Sequence, residues 1–128
     1  MYQSKNRTLE ELLSAYSSGQ RHFIDWDFDE DLSVKGLDLS DVSFESCFLF
    51  LDFRETKLIN SKFIQCNIKT ADFRDADLTN AIFKNCSVES IMFKGAKTKD
   101  LIFEENYAYG NTFGQDDFES FIKDNDTD

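Results

Sequence analysis

From Phe63 onward the apolar side chains recur at every fifth residue: Phe63, Ile68, Phe73, Leu78, Phe83, Val88 and Phe93, then Phe103 after Thr98. Two residues before each of these stands a small or apolar partner: Ser61, Cys66, Ala71, Ala76, Ala81, Cys86, Ile91, Ala96 and Leu101. A period of five fits neither the turn of an α-helix nor the two-residue alternation of a strand. A fixed internal repeat predicts a solenoid, in which each unit buries its apolar side only by stacking on its neighbours. Such a core specifies the fold and leaves the function to the outward surface.

Ala71-Asp72-Phe73-Arg74-Asp75, Ala76-Asp77-Leu78-Thr79-Asn80 and Ala81-Ile82-Phe83-Lys84-Asn85 are successive copies of one unit. In these residues the chain resembles the pentapeptide-repeat family, whose unit reads Ala-(Asp/Asn)-Leu-X-X, and the resemblance covers about residues 21 to 105. The resemblance implies an all-β solenoid, a right-handed quadrilateral β-helix with four pentapeptides per coil. The middle residue of each unit and the residue two before it would point inward, and the other three would point to solvent.

Four units per coil predict that residues twenty apart stack. Phe63, Phe83 and Phe103 make one column, extended by Phe44; Phe53, Phe73 and Phe93 make a second on the opposite wall. Leu39, Leu58 and Leu78 make a third, and Leu49, Ile68 and Val88 a fourth. Aromatic columns would therefore alternate with aliphatic ones, filling a narrow square interior without voids.

The step from Phe44 to Phe63 is one residue short, so one unit has lost a residue. Two registers fit. If residues 47–50 are the short unit, Cys47 joins Cys66 and Cys86 in one inward column, Leu49 points in, and Phe48 and Phe50 point out. The other register turns Phe48 inward and Cys47 outward; the first is preferred. Earlier in the chain, Phe23 and Phe28 continue two columns if Asp31 is a single inserted residue. Units then begin near Arg21 and make about four and a quarter coils, ~20 Å long at ~4.8 Å per layer.

The 128 residues fit a single domain, with no proline and only five scattered glycines to mark a linker. Thr8-Leu9-Glu10-Glu11 is a capping-box pattern that predicts an N-terminal cap helix over residues 8–19, closed by Gly19. Phe118, Phe121 and Ile122 fall at helical spacing behind Asp116 and Asp117, which predicts a C-terminal cap over 106–123. Tyr107 and Tyr109 are expected to pack under that helix. Residues 124–128 read as a disordered tail. No apolar run reaches the length of a membrane span and no signal pattern opens the chain, so a cytoplasmic protein without membrane contact is expected. Three cysteines in core register suit a reducing compartment, with thiols that bind no metal.

The formal net charge is -11. Some members of the family that the chain resembles are acidic rods that imitate duplex DNA and bind type II topoisomerases, DNA gyrase among them, in the quinolone-protection manner. That implication is the alternative reading here. Against it, residues 1–53 carry 11 acids and 4 bases, residues 54–99 carry 5 acids and 9 bases, and residues 100–128 carry 9 acids and 1 base. The ends are acidic and the middle is basic, whereas a mimic needs regular negative charge along its length. Lys35, Arg54, Arg74 and Lys94 would form a basic ladder, flanked by Asp52, Asp72, Glu55 and Asp75; Asp38, Lys57, Asp77 and Lys97 would alternate in sign. Charge pairing on a solvated sheet explains both. Direct nucleic-acid binding is not expected, because the basic ladder is locally neutralised.

Ile64, Ile82 and Ile102 fall on one outward wall with Ile59 just round the corner, and they are the candidate protein-binding residues. Nothing points to catalysis, a metal or a cofactor. His22 is the one histidine and reads as a surface residue. The acidic cluster Asp25, Asp27, Asp29, Glu30 and Asp31 lacks the glycine and glutamate spacing of a calcium loop. There is no glycine-rich phosphate loop and no serine elbow. The sequence thus predicts a non-enzymatic protein-binding module or scaffold, a monomer or an end-to-end homodimer, with a protein partner that the core does not name.

Overall fold

The structure, a computed structural model, describes residues 6–125, without the side chains of 29–31, 124 and 125. An N-terminal helix α1 (Leu9–Ser17) leads into β1 (His22–Ile24), β2 (Asp27–Ser33), β3 (Ser43–Glu45), β4 (Phe48–Asp52), β5 (Lys62–Ile64), β6 (Ile82–Lys84) and β7 (Ile102–Glu104). β8 (Asn106–Ala108), β9 (Asn111–Phe113), a 3₁₀ turn (Gln115–Asp117) and α2 (Phe118–Asn125) close the chain. The helices are thus slightly shorter or longer than their sequence signals. α2 reaches into the segment expected to be a disordered tail, and residues 126–128 lie outside the described residues.

Parallel pairing runs up four walls, which makes a β-solenoid of about four turns. On the first wall, β1, β3, β5, β6 and β7 form one parallel sheet in which Phe23, Phe44, Phe63, Phe83 and Phe103 are in register. On the second, Asp27, Phe48, Asn67, Ser87 and Tyr107 pair in sequence. The third stacks Ser33, Asp52, Asp72 and Met92, and the fourth Asp38, Lys57, Asp77 and Lys97.

A square coil needs a sharp corner every five residues, and the backbone supplies it by entering the left-handed region. From Glu55 to Glu105 every fifth residue has positive φ, and only Gly95 among them is a glycine. Left-handed backbone costs an ordinary residue ~1–2 kcal/mol, less for Asn and Asp, so each corner is paid for by the stacking on either side. The Asp or Asn before the inward residue has its own task. Asp52, Asp72 and Asp77 each accept a hydrogen bond from the amide two residues on, at Arg54, Arg74 and Thr79. That amide, turned to solvent beside the corner, would otherwise lack a partner.

The interior is a stack of phenylalanines. Phe53 and Phe73 lie parallel at 4.7 Å, as do Phe63 and Phe83 at 4.8 Å. The two columns meet edge to face across the core, Phe63 on Phe73 at 5.6 Å and Phe73 on Phe83 at 5.5 Å. Both arrangements suit the ring quadrupole.

Cys47 and Leu49 are buried while Phe48 and Phe50 are exposed, which is the preferred of the two registers. The shortened unit runs as straight strand through a corner with no left-handed residue. Phe28 to Leu32 on β2 spans the same step as Leu49 to Leu51 on β4, so the long first coil and the short second one meet here in a bulge.

Both ends are closed. Thr8 and Glu11 form the reciprocal capping box of α1, and the amide of Arg7 donates to the Asp27 carbonyl under the second wall. The Arg21 guanidinium lies 3.7 Å from the Tyr16 ring, and the Tyr16 hydroxyl donates to the Ser40 carbonyl. At the other end, Gln115 Oε1 accepts from the Phe103 amide, so a side chain occupies the edge where a further coil would pair. Phe118 and Phe121 cover Phe103 at 5.0 and 5.6 Å.

Two expectations at this end need correction. The repeat continues for one more unit beyond residue 105, with Asn106 and Ala108 facing inward before β9 turns back antiparallel on β8. Tyr107 and Tyr109 do not pack under α2; they point outward from the second wall, 48% and 58% exposed. Alanine occupies the inward position of this unit, so the neighbouring tyrosines take the outward ones.

Candidate interaction surfaces

On the first wall Ile82 and Ile102 are direct vertical neighbours, with Lys62 continuing their column. Ile64 stands in the adjacent column, paired with Glu45 on one side and Lys84 on the other. Ile102 is 39% exposed, and Ile64, Ile82 and Ile59 are half-buried. The four isoleucines therefore make a small apolar strip crossed by charges.

The third wall carries the predicted ladder. Arg54 grips Asp52 through Nε and Nη2 at 3.0 and 2.9 Å, and Arg74 repeats the grip on Asp72 at 2.9 and 2.6 Å. Lys35 Nζ lies 3.3 Å from Glu55. The Arg54 side chain, then its amide and charge, hold the Asp52 carboxyl at about 2. These pairs, with Phe50, Leu51, Thr70 and Met92, line a shallow groove of about 330 Å³. On the fourth wall Asp38 and Asp77 are lowered too, first by bonds from the Ser40 amide and the Thr79 hydroxyl, with Lys57 assisting both.

The cysteine column is built as a hydrogen-bond ladder. Each thiol donates to a phenylalanine carbonyl one coil below: Cys47 to Phe23 at 3.4 Å, Cys66 to Phe44 at 3.3 Å and Cys86 to Phe63 at 3.1 Å. Asn106 ends the ladder, donating Nδ2 to the Phe83 carbonyl and accepting from the Cys86 amide. The hydrogen bond with Cys66, then burial, pushes Cys47 up. Cys66 is pulled down by its bond with Cys47, but Cys86 and burial outweigh that and push it up to about 12. At the top of the column the neighbouring Cys66 thiol lowers Cys86 against the effect of burial. Among the described residues no group of three histidine, cysteine or acidic side chains is placed to hold a metal ion, and no helix is long and apolar enough to cross a membrane.

His22 lies exposed at the edge of the first wall, and Asp27 Oδ1 accepts from the Phe48 amide. The feature that sequence reasoning underrated is the second wall. Phe48 is 40% exposed in its second coil and Phe50, at the corner with the third wall, 38%, while Tyr107 and Tyr109 face outward three coils higher. The alternation Tyr107-Ala108-Tyr109 carries the signal, once Ala108 is taken as the inward residue.

Four parallel walls, left-handed corners at every fifth residue and a phenylalanine spine define a capped, four-sided β-solenoid. A family profile described as a pentapeptide repeat region matches residues 37–113. The chain belongs to the pentapeptide-repeat family. Its structure is similar to that of the pentapeptide repeat protein Rfr23 from the cyanobacterium Cyanothece 51142, at 25% identity and TM-score 0.52, covering 59% of this chain and 55% of that one. It is also similar to QnrB1, a plasmid-mediated fluoroquinolone resistance protein, at 21% identity and TM-score 0.56, covering 73% of this chain and 44% of that one. The chain thus spans about half the length of these solved relatives, and the QnrB1 likeness is one of fold. No curated protein matches the sequence significantly.

Proposed function

We propose that this chain is a non-enzymatic protein-binding module that acts in the cytoplasm through a side wall of its solenoid. The observation that carries the reading is the vertical Ile82–Ile102 pair, held on a rigid five-stranded parallel sheet with Ile64 beside it and Ile59 at the corner. Desolvating adjacent isoleucines contributes ~25 cal/mol per Å² of apolar surface buried. The exposed carboxylates at the ends mainly steer approach.

The second reading, a DNA mimic directed at a type II topoisomerase, is favoured by the net charge of -11 and the fold shared with QnrB1. It is opposed by the guanidinium pairs on Asp52 and Asp72, which cancel negative charge midway along the axis. Two variants separate the readings in any association formed with a host protein, gyrase included. Ile82→Lys should abolish binding with little salt dependence. Loss only in Asp116→Lys/Asp117→Lys, with a steep salt slope and inhibition of gyrase supercoiling by the native protein, would establish mimicry instead.

A further inference from the structure

The second wall is self-complementary, and we propose that it is the contact between two copies of this chain packed side by side and antiparallel. Its outward side chains form two adjacent columns. One runs Asp27, Phe48, Asn67, Ser87, Tyr107, and Thr112 of β9 pairs with Tyr107 above them. The other holds, at the outward position following each buried residue, Lys69, Glu89 and Tyr109, with Phe50 below them at the corner shared with the third-wall groove. Two exposed aromatic pairs therefore bracket a two-coil polar strip, ~14 Å apart at ~4.8 Å per layer.

A two-fold axis lying in the contact plane, perpendicular to the solenoid axis, reverses the order of coils and leaves each column facing itself. Placed midway between the Asn67 and Ser87 layers, it sets Phe48 against the second copy's Tyr107, with the second copy's Tyr109 beside the corner Phe50. Asn67 then meets Ser87, and Asp27 meets Thr112. Lys69 meets Glu89 twice, once from each copy, so opposite charges face each other at the centre. Aromatic meets aromatic, amide meets hydroxyl and cation meets anion across the four central layers. Any shift of one layer puts Lys69 opposite a second Lys69, or Glu89 opposite a second Glu89.

Neighbouring bonds keep the surface rigid. The Tyr109 hydroxyl accepts from the Ser90 amide at 3.1 Å, the Tyr109 amide donates to Glu89 Oε1 at 3.2 Å, and Asn67 Oδ1 accepts from the Lys69 amide at 3.2 Å. The caps leave this wall uncovered, since α1 closes one end and α2 packs on Phe93 and Phe103 at the other. A strip one strand wide buries less than the ~1,600 Å² of a standard interface. The dimer is therefore weak, with a dissociation constant on the order of tens of micromolar.

Sedimentation equilibrium from ~10 µM to ~1 mM brackets that range and tests the contact with two charge variants. Lys69→Glu alone faces Glu89 with Glu, and Glu89→Lys alone faces Lys69 with Lys. Each should weaken dimerisation at least about tenfold while keeping the circular dichroism and melting of the native chain. An equimolar mixture of the two variants restores both opposite-charge pairs and should dimerise about as well as the native protein. A native chain that stays monomeric throughout would overturn the proposal. So would a dimer indifferent to both variants, or one that the mixture fails to restore, which would place the contact elsewhere, as in an end-to-end dimer around Phe118 and Phe121.

Discussion

Replacing Phe73 by alanine removes a ring from the middle of the phenylalanine spine. The side chain is fully buried, stacked on Phe53 at 4.7 Å and Phe93 at 5.6 Å, and met edge-on by Phe63 and Phe83. The backbone on every side is fixed by interlayer hydrogen bonds, so the wall cannot collapse into the space. A void on the order of 100 Å³ at ~24 cal/mol per Å³ costs about 2.4 kcal/mol, and lost transfer energy brings the total to ~3–5 kcal/mol. In a stack of nearest-neighbour coils one such layer weakens the interfaces on both sides. Arg74→Ala, one residue away, is the control. Its guanidinium is exposed and pairs with Asp72, and Asp72 keeps its bond from the residue 74 amide, so the change should stay under ~1 kcal/mol. Urea unfolding followed by circular dichroism reads both. A protein that tolerates Phe73→Ala and unfolds with Arg74→Ala would refute the inward assignment.

Gly95→Ala and Gly36→Ala should each cost ~1–2 kcal/mol, because both glycines sit at left-handed φ, +80° and +77°; the added Cβ meets nothing at 36 and at 95 only the exposed Asp75 carboxylate, which can turn aside. Thermal melting of the two variants should show similar losses, and a much larger loss at 95 would mean that Asp75 is held in place. Ser61→Ala should be neutral or stabilising by ~1 kcal/mol, since the buried Ser61 hydroxyl has no hydrogen-bond partner while Ala71, Ala76 and Ala81 serve equivalent positions. Asp52, held at about 2 against an ordinary 3.8, contributes stability that is complete above pH ~4 and lost as pH falls toward 2. Asp52→Asn should lose ~1 kcal/mol at neutral pH, discounted for the exposed Arg54, and should flatten the acid limb of the stability profile.

Most of the fold was legible because one spacing governs it. The period of five from Phe63 to Phe93 identified the columns, and a missing residue between Phe44 and Phe63 located the short unit. Capping was legible where it used side-chain chemistry, as with Thr8 and Glu11. It was hidden where it used tertiary contact. Nothing local announces that Gln115 would cap the Phe103 amide, or that Asn106 would finish the thiol ladder. The repeat faded at Ala108 because a small inward residue gives little hydrophobic signal, and the outward tyrosines beside it then read as core. Surface chemistry was the least legible part, since outward residues acquire meaning only through neighbours about twenty positions away. Lys69 and Glu89 become one feature only when their coils are stacked.

Amide hydrogen exchange, resolved by residue, tests the inward and outward assignment most directly. In the central coils the amides of inward residues donate to the adjacent layer, as Ile68, Phe73 and Leu78 do to Ser87, Met92 and Lys97. Amides one position later, at Lys69, Arg74 and Thr79, donate only to a side chain at the surface. Protection should therefore rise and fall with a period of five, with its minima at residues 69, 74 and 79, and should be deepest between Phe63 and Phe83. Minima displaced onto Ile68, Phe73 and Leu78, or a period of two or 3.6 in their place, would contradict the register and every wall built on it.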